Sequence, residues 1–187
     1  MEQLILRKVI EGDMSAFSTL VENNRHIAFS VAFRILNSRE DAEEVVQDAF
    51  MKAFNALHSF RGESSFSTWL CRIVVRCALT RRKHETKGWG QNHSSDLPEI
   101  ESATVEDGYN RLTHWEQKQH IDHVLNEMSV EERLLLTLYY LHERTLEEVS
   151  EIADISAPNV KMKLHRARKK MYLLMQKHLS HETHNLL

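Results

Sequence analysis

Residues 145–170, TLEEVSEIADISAPNVKMKLHRARKK, set an acidic amphipathic segment, a three-residue break and a strongly basic segment in direct succession, and this order decides how the chain folds. Thr145 with Glu148 matches a capping box, in which hydroxyl and carboxylate reciprocally satisfy backbone N–H groups that have no intrahelical partner. Asp154-Ile155-Ser156 breaks the helix. Ser156 is a favoured N-cap, and Pro158 falls in the following first turn, where a missing N–H costs nothing. The pattern predicts a helix-turn-helix. Val160, Leu164, Ala167, Met171 and Leu174 recur at intervals of three and four as the buried stripe of the second helix. Its other faces carry Lys161, Lys163, Arg166, Arg168, Lys169, Lys170 and Lys177, and no Asp or Glu occurs at 156–179. Like charge on a helix is often only a solvated face. Reached through a tight turn from an acidic helix, it points to DNA phosphates.

Working outward, the 187 residues suffice for one large or two small domains. Five glycines and two prolines, against abundant Leu, Ala, Glu and Lys, favour an all-α protein. The net charge of -3 excludes a basic coat over the whole surface and confines nucleic-acid affinity to patches. Cys71 and Cys77 fit neither a zinc nor a redox spacing and read as core thiols of a reducing cytoplasm. The longest apolar stretch, Leu134 to Leu141, is interrupted by Thr137 and is too short to cross a bilayer. With no signal peptide visible, a soluble intracellular protein is expected.

Charge divides the chain. Residues 1–83 hold twelve basic and ten acidic side chains, 84–112 hold two and six, and 113–187 hold ten and eleven. The middle piece also contains three of the five glycines and lacks a helical period. The expected organisation is therefore two small helical domains, 1–83 and 109–187, joined by a flexible acidic linker at 84–108, the second containing the helix-turn-helix.

In the first domain a short helix near Leu4–Ile10 precedes a long one whose stripe is Phe17, Leu20, Val21, Ile27, Ala28, Val31 and Ile35. Ser38 and Asp41 open the next, with an acidic and Gln-bearing outer face of Asp41, Glu44, Gln47 and Asp48. A loop, Phe60 to Phe66, then leads to a helix at about 67–83 that carries Arg72, Arg76, Arg81, Arg82 and Lys83 without an acid. Aromatics beside arginines suit single-stranded nucleic acid, since bases stack on rings while phosphates sit near the charges. Trp69, Phe60 and Phe66 at this spacing also suit a core.

Three segments, DAEEVVQDAFMKAF at 41–54, FRGESSFSTWLCRIVVRCAL at 60–79 and TLEEVSEIADISAPNVKMKLHRAR at 145–168, resemble the extracytoplasmic-function (ECF) group of bacterial RNA polymerase sigma factors, in the same order. The resemblance implies a promoter-specificity subunit that binds core RNA polymerase through its clamp helices and flap, reads a -10 and a -35 promoter element, helps to melt the duplex and has no catalytic residues of its own. Carried over by position, Asp41, Glu44, Val45, Gln47, Asp48 and Phe50 would meet the polymerase. Phe60, Arg61, Ser64, Phe66, Trp69, Arg72, Arg76, Thr80 and Arg81 would serve the -10 element, the loop capturing an extruded base. Ser156, Asn159, Lys161, Met162, Lys163, His165, Arg166, Arg168 and Lys169 would serve the -35 element. An anti-sigma factor is a common partner in the family, and a cytoplasmic, nucleoid-associated location follows.

The chain departs from the family pattern at Arg76 and Thr80, where Asn and Asp are usual, at Ser150 and Asp154, which replace Ala and Gly, and at Pro158-Asn159, which replaces Gly-Thr. Asp tolerates a positive φ better than most residues, so the turn can survive. Twelve histidines include His120 and His123, and His178, His181 and His184, at helical spacing. No Cys or zinc-protease carboxylate motif accompanies them, so neither a metal nor a cofactor is expected. A stand-alone helix-turn-helix regulator, with the first domain sensing a ligand or dimerising, is the alternative.

Overall fold

The computed structural model describes residues 2–85 and 119–185, with side chains to 84 in the first stretch and to 178 in the second. All regular structure among the described residues is helical. The linker expected at 84–108 lies outside the described residues apart from positions 84 and 85, which close a helix.

The first unit comprises α1 (Glu2–Ile10), α2 (Met14–Leu36), α3 (Arg39–Ala56), a short 3-10 turn (Leu57–Ser59) and α4 (Phe66–Glu85). Asp13 caps α2, its carboxylate accepting from the N–H groups of Ser15 and Ala16 at 2.9 and 3.2 Å. Asn37 ends α2 in the left-handed region at φ 57°, as a C-cap residue without a long side chain can. Ser38 then caps α3 by accepting from the Asp41 N–H at 3.3 Å. Helices α2, α3 and α4 pack on one another, with α1 against α2. The stripe of α3, Ala42, Ala49 and Ala53, is small and fully buried, which lets its backbone pack closely on α2 and α4 in the shared core.

The second unit comprises α5 (119–126 as described), α6 (Val130–Leu136), a π turn (Thr137–Leu141), α7 (Leu146–Ala153) and α8 (Ala157–Asn185). Ser129 and Glu132 form a complete capping box at α6, with bonds of 2.8 and 3.3 Å. The expected box at α7 is also formed, Glu148 N–H to Thr145 Oγ1 at 3.2 Å and Thr145 N–H to Glu148 Oε2 at 3.0 Å. Leu135, Leu138, Val149, Ile152, Val160, Leu164 and Ala167 form the core beneath the helix-turn-helix.

The substitutions in the turn explain each other. Asp154 takes the left-handed conformation (φ 57°) that glycine would otherwise supply. Ser150, one helical turn earlier, donates its hydroxyl to the Ile155 carbonyl at 2.6 Å, and that bond ties the turn to α7. An alanine at 150 could not make it.

The two units also pack against each other, α4 on α7 and α2 on α6. Thr68, fully buried on α4, donates to Glu148 Oε1 at 3.0 Å, and the same oxygen accepts from Arg144 at 3.0 Å. Arg144 also donates to Ser67 Oγ at 2.7 Å, and Ser64 donates to Glu151 at 2.9 Å. Burial raises the Glu148 carboxyl, but its bonds from the Thr145 backbone, Thr68 and Arg144, with the charge of Arg144, more than offset this and leave its pKa lowered. Glu148 is therefore both the cap of α7 and the charged centre of the contact with α4. A second link between the units is Arg34 of α2, which reaches Asp122 of α5 at 2.6 Å, the side chains being only 12% and 6% exposed. Burial pushes the Cys71 thiol up to about 12, which fits a core thiol rather than a nucleophile.

Candidate nucleic-acid interface

On α8 the sequence stripe is the buried one: Val160, Leu164 and Ala167 are inside, with Met171 and Leu174 half-buried against the same core. That burial fixes the rotation of the helix and turns Ser156, Asn159, Lys161, Met162, His165, Arg166, Arg168 and Lys169 to solvent. Lys163 is half-buried and bonds Glu131 of α6 at 2.6 Å, while Lys170 bonds Glu132 at 2.8 Å. These two lysines tie α8 to α6. Arg168 lies 3.3 Å from the Tyr140 hydroxyl and 3.4 Å from His165 Nδ1, which holds its guanidinium over the exposed face. The result is an exposed cationic face, backed by neutralised lysines on one side and a packed stripe on the other.

The loop before α4 is built on aromatic packing. Phe66 is fully buried, with its ring centroid 6.2 Å from Phe60 and 5.8 Å from Trp69, and Phe60 lies 5.1 Å from Trp69. Phe60 and Trp69 are half-buried, so each keeps part of its ring at the surface, whereas Phe66 serves as their floor. Gly62, at φ 70°, allows the loop its reversal. Arg61 is exposed, and Ser64 is engaged with Glu151 of α7. Along α4, Arg76 and Thr80 are exposed, and Arg72 lies 3.8 Å from Asp154 at the helix-turn-helix turn.

Arg81 joins two sets that the sequence keeps apart. It pairs with Asp41 at 2.7 Å and with Glu44 at 2.9 Å, so the acidic face of α3 and the basic face of α4 are cross-linked. A cleft of about 420 Å³ runs between them, lined by Glu44, Val45, Asp48 and Lys52 from α3 and Ile73, Arg76, Cys77, Thr80, Arg81 and His84 from α4. Gln47 and Asp48 are exposed. Val45 and Phe50 are buried, at 4% and 7% exposure, so their place is under the acidic face rather than on it.

Sequence reasoning did not find the residues that join the units, Ser67, Thr68, Arg144, Glu148 and Glu151, because their partners are far apart in the chain. The capping box at Glu148 was visible; its second role was not. Among the described residues no helix is long and apolar enough to cross a membrane.

Comparison with known proteins fits this arrangement. Residues 20–88 match the family model described as Sigma-70 region 2, and residues 118–171 that described as Sigma-70, region 4. The chain is 32% identical over 176 residues to the ECF RNA polymerase sigma-E factor of Escherichia coli (strain K12), covering 89% of this chain and 90% of the relative. It is 27% identical to the ECF RNA polymerase sigma factor SigW of Bacillus subtilis (strain 168), covering 90% and 95%. Its fold is similar to that of the sigma factor RpoE of Bartonella quintana, solved with the anti-sigma factor NepR, at a TM-score of 0.68 and 19% identity over 86% of this chain and 96% of that one. CnrH, solved with the cytosolic domain of CnrY, gives a TM-score of 0.64 and 21% identity over 94% and 97%. With two region models matched in order around a helix-turn-helix and a 32% identical relative covered almost end to end, the chain belongs to the ECF group of the sigma-70 family of RNA polymerase sigma factors.

Proposed function

We propose that the two units divide promoter reading between them, the exposed face of α8 taking the -35 element and the loop at 60–66 with α4 taking the -10 element. Core RNA polymerase binds through Asp41, Glu44, Gln47 and Asp48 at its clamp helices, with Val45 and Phe50 supporting that face from below, and the second unit meets the flap. Catalysis of RNA synthesis stays with the polymerase, in the cytoplasm and at the nucleoid. The observation that carries the reading is the solvent-facing surface of α8 at 157–178, which has no acidic residue and is oriented by its buried stripe.

The contact between α4 and α7 gives this proposal a conformational step. By their names the two elements lie roughly 25 base pairs apart, about 85 Å along the duplex at 3.4 Å per pair. Helices in contact cannot reach both. The packed form is thus the resting form, and promoter binding requires Thr68, Ser64 and Ser67 to leave Glu148, Glu151 and Arg144, and Arg34 to leave Asp122. A hydrogen bond to a charged group contributes about 1.5–3 kcal/mol, a cost that polymerase binding can offset. An anti-sigma partner of the kind bound by the structural neighbours would stabilise a polymerase-free form.

Two experiments test the assignment of surfaces. With Lys163 and Lys170 tied to α6, Lys161, Arg166, Arg168 and Lys169 are the exposed cations that face phosphates, and binding of -35 duplex by the second unit should show a log-log salt slope of roughly -4, at about 0.9 per contact. A response without slope removes α8 from the interface. Replacing Gln47 and Asp48 together by alanine should weaken core polymerase binding at least about tenfold in a fluorescence titration while leaving the thermal midpoint unchanged, because both side chains are exposed. An unchanged affinity removes α3 from the polymerase contact.

A further inference from the structure

Two donors one helical turn apart meet a third, 51 positions further along the chain, at the outer edge of the second unit. His123 lies on α5, Glu127 follows just past the end of the same helix, and His178 comes from α8, one turn beyond Leu174, which packs on the core. Glu127 Oε1 is 3.6 Å from His123 Nε2 and 2.5 Å from His178 Nε2, and one donor atom from each of the three residues lies within 4.8 Å of the other two. The two imidazoles stand edge to face, 4.9 Å between centroids. Glu127 Oε1 thus stands between two imidazoles, at hydrogen-bond length from His178 and beyond it from His123.

We propose that His123, Glu127 and His178 form a site for one divalent ion of the zinc class, which fastens the distal half of the recognition helix to α5. Two imidazoles and a carboxylate are a ligand set that zinc accepts, with water in the fourth position. Tetrahedral bonds of about 2.0–2.1 Å hold donors about 3.3 Å apart, so the ion enters with side-chain shifts on the order of 1 Å. Exposure of 66%, 36% and 27% for the three side chains leaves the water position and the entry path open. Glu127 stands at the C-terminal end of α5, where the helix dipole adds to the attraction for a cation.

The consequence is mechanical. Asp122, the neighbour of His123, points the other way to Arg34 of α2. An ion on the outer side of α5 therefore connects the recognition helix, through α5, to the first unit. Residues 172–178 of α8, which include His178, lie past the match to the region 4 model.

The test is a calorimetric titration of the untagged full chain with zinc chloride, alongside His123→Ala, His178→Ala, Glu127→Gln and a His181→Ala/His184→Ala double variant. One ion per chain should bind, with affinity lost at least about tenfold in each of the first three variants and kept in the fourth. Zinc at a hundredfold excess over its dissociation constant should raise the thermal midpoint by about 5–10 °C and slow amide exchange at 171–178. Absence of saturable binding, binding indifferent to the first three variants, or binding lost with His181 and His184 would each overturn the proposal.

Discussion

Asp122→Ala should destabilise the folded chain by about 3–5 kcal/mol, because it leaves Arg34, only 12% exposed, without the carboxylate 2.6 Å away. The surroundings make the loss worse. Burial and the guanidinium groups of Arg82 and Arg34 already push Arg133 down to about 10, and burial with the charges of Arg144 and Arg34 pushes His142 down to about 4. A carboxylate removed from this crowd leaves a net positive cluster in a low-dielectric contact between α2, α5 and α6. Replacing both partners at once, Arg34→Met with Asp122→Leu, should cost far less, since no buried charge is then unpaired. Urea denaturation measures both. A single alanine costing under about 1 kcal/mol would show that the pair is not buried in solution.

Phe66→Ala should cost about 3–5 kcal/mol, the usual effect of emptying a fully buried aromatic site. Phe66→Leu should recover most of that. The pair of variants also separates two roles. If Phe66 is the floor beneath Phe60 and Trp69, promoter opening at a temperature where Phe66→Leu is folded should be close to that of the parent chain. If its ring stacked directly on an extruded base, the leucine variant would be folded and inactive, since stacking on an aromatic contributes about 1–3 kcal/mol per base.

The helices and their rotation were legible in the sequence because local chemistry fixes them. Thr145 and Glu148 close their capping box as read, Ser38 opens α3, and the interval of three and four from Val160 to Leu174 is the face that packs. The turn of the helix-turn-helix was half legible: Asp154 could be expected at positive φ, but the bond from Ser150 to the Ile155 carbonyl required the fold. The charged surfaces were less so. Lys163 and Lys170 look like their neighbours in the sequence, and only packing on α6 assigns them to Glu131 and Glu132. Val45 and Phe50 share a motif with Asp48, yet helical phase buries them.

Contacts across long separations were not legible at all. Ser64 and Glu151 are 87 positions apart, Thr68 and Glu148 80, and His178 and Glu127 51. Each is a polar side chain with an adequate local explanation as a cap, a loop residue or a surface histidine. No periodicity marks a side chain as bonded to a distant helix. The sequence therefore supports two units on a tether, and the structure adds that they rest against each other through Ser64, Ser67, Thr68, Arg144, Glu148 and Glu151.

Transcription by core RNA polymerase reconstituted with this chain on a promoter library, with the start sites mapped, tests promoter selection itself. The account predicts transcripts that depend on the chain, begin at defined positions and share two upstream elements, and that disappear when Gln47 and Asp48 are replaced. Tight binding of the chain alone to duplex DNA, with no transcript started by the reconstituted polymerase, would contradict it.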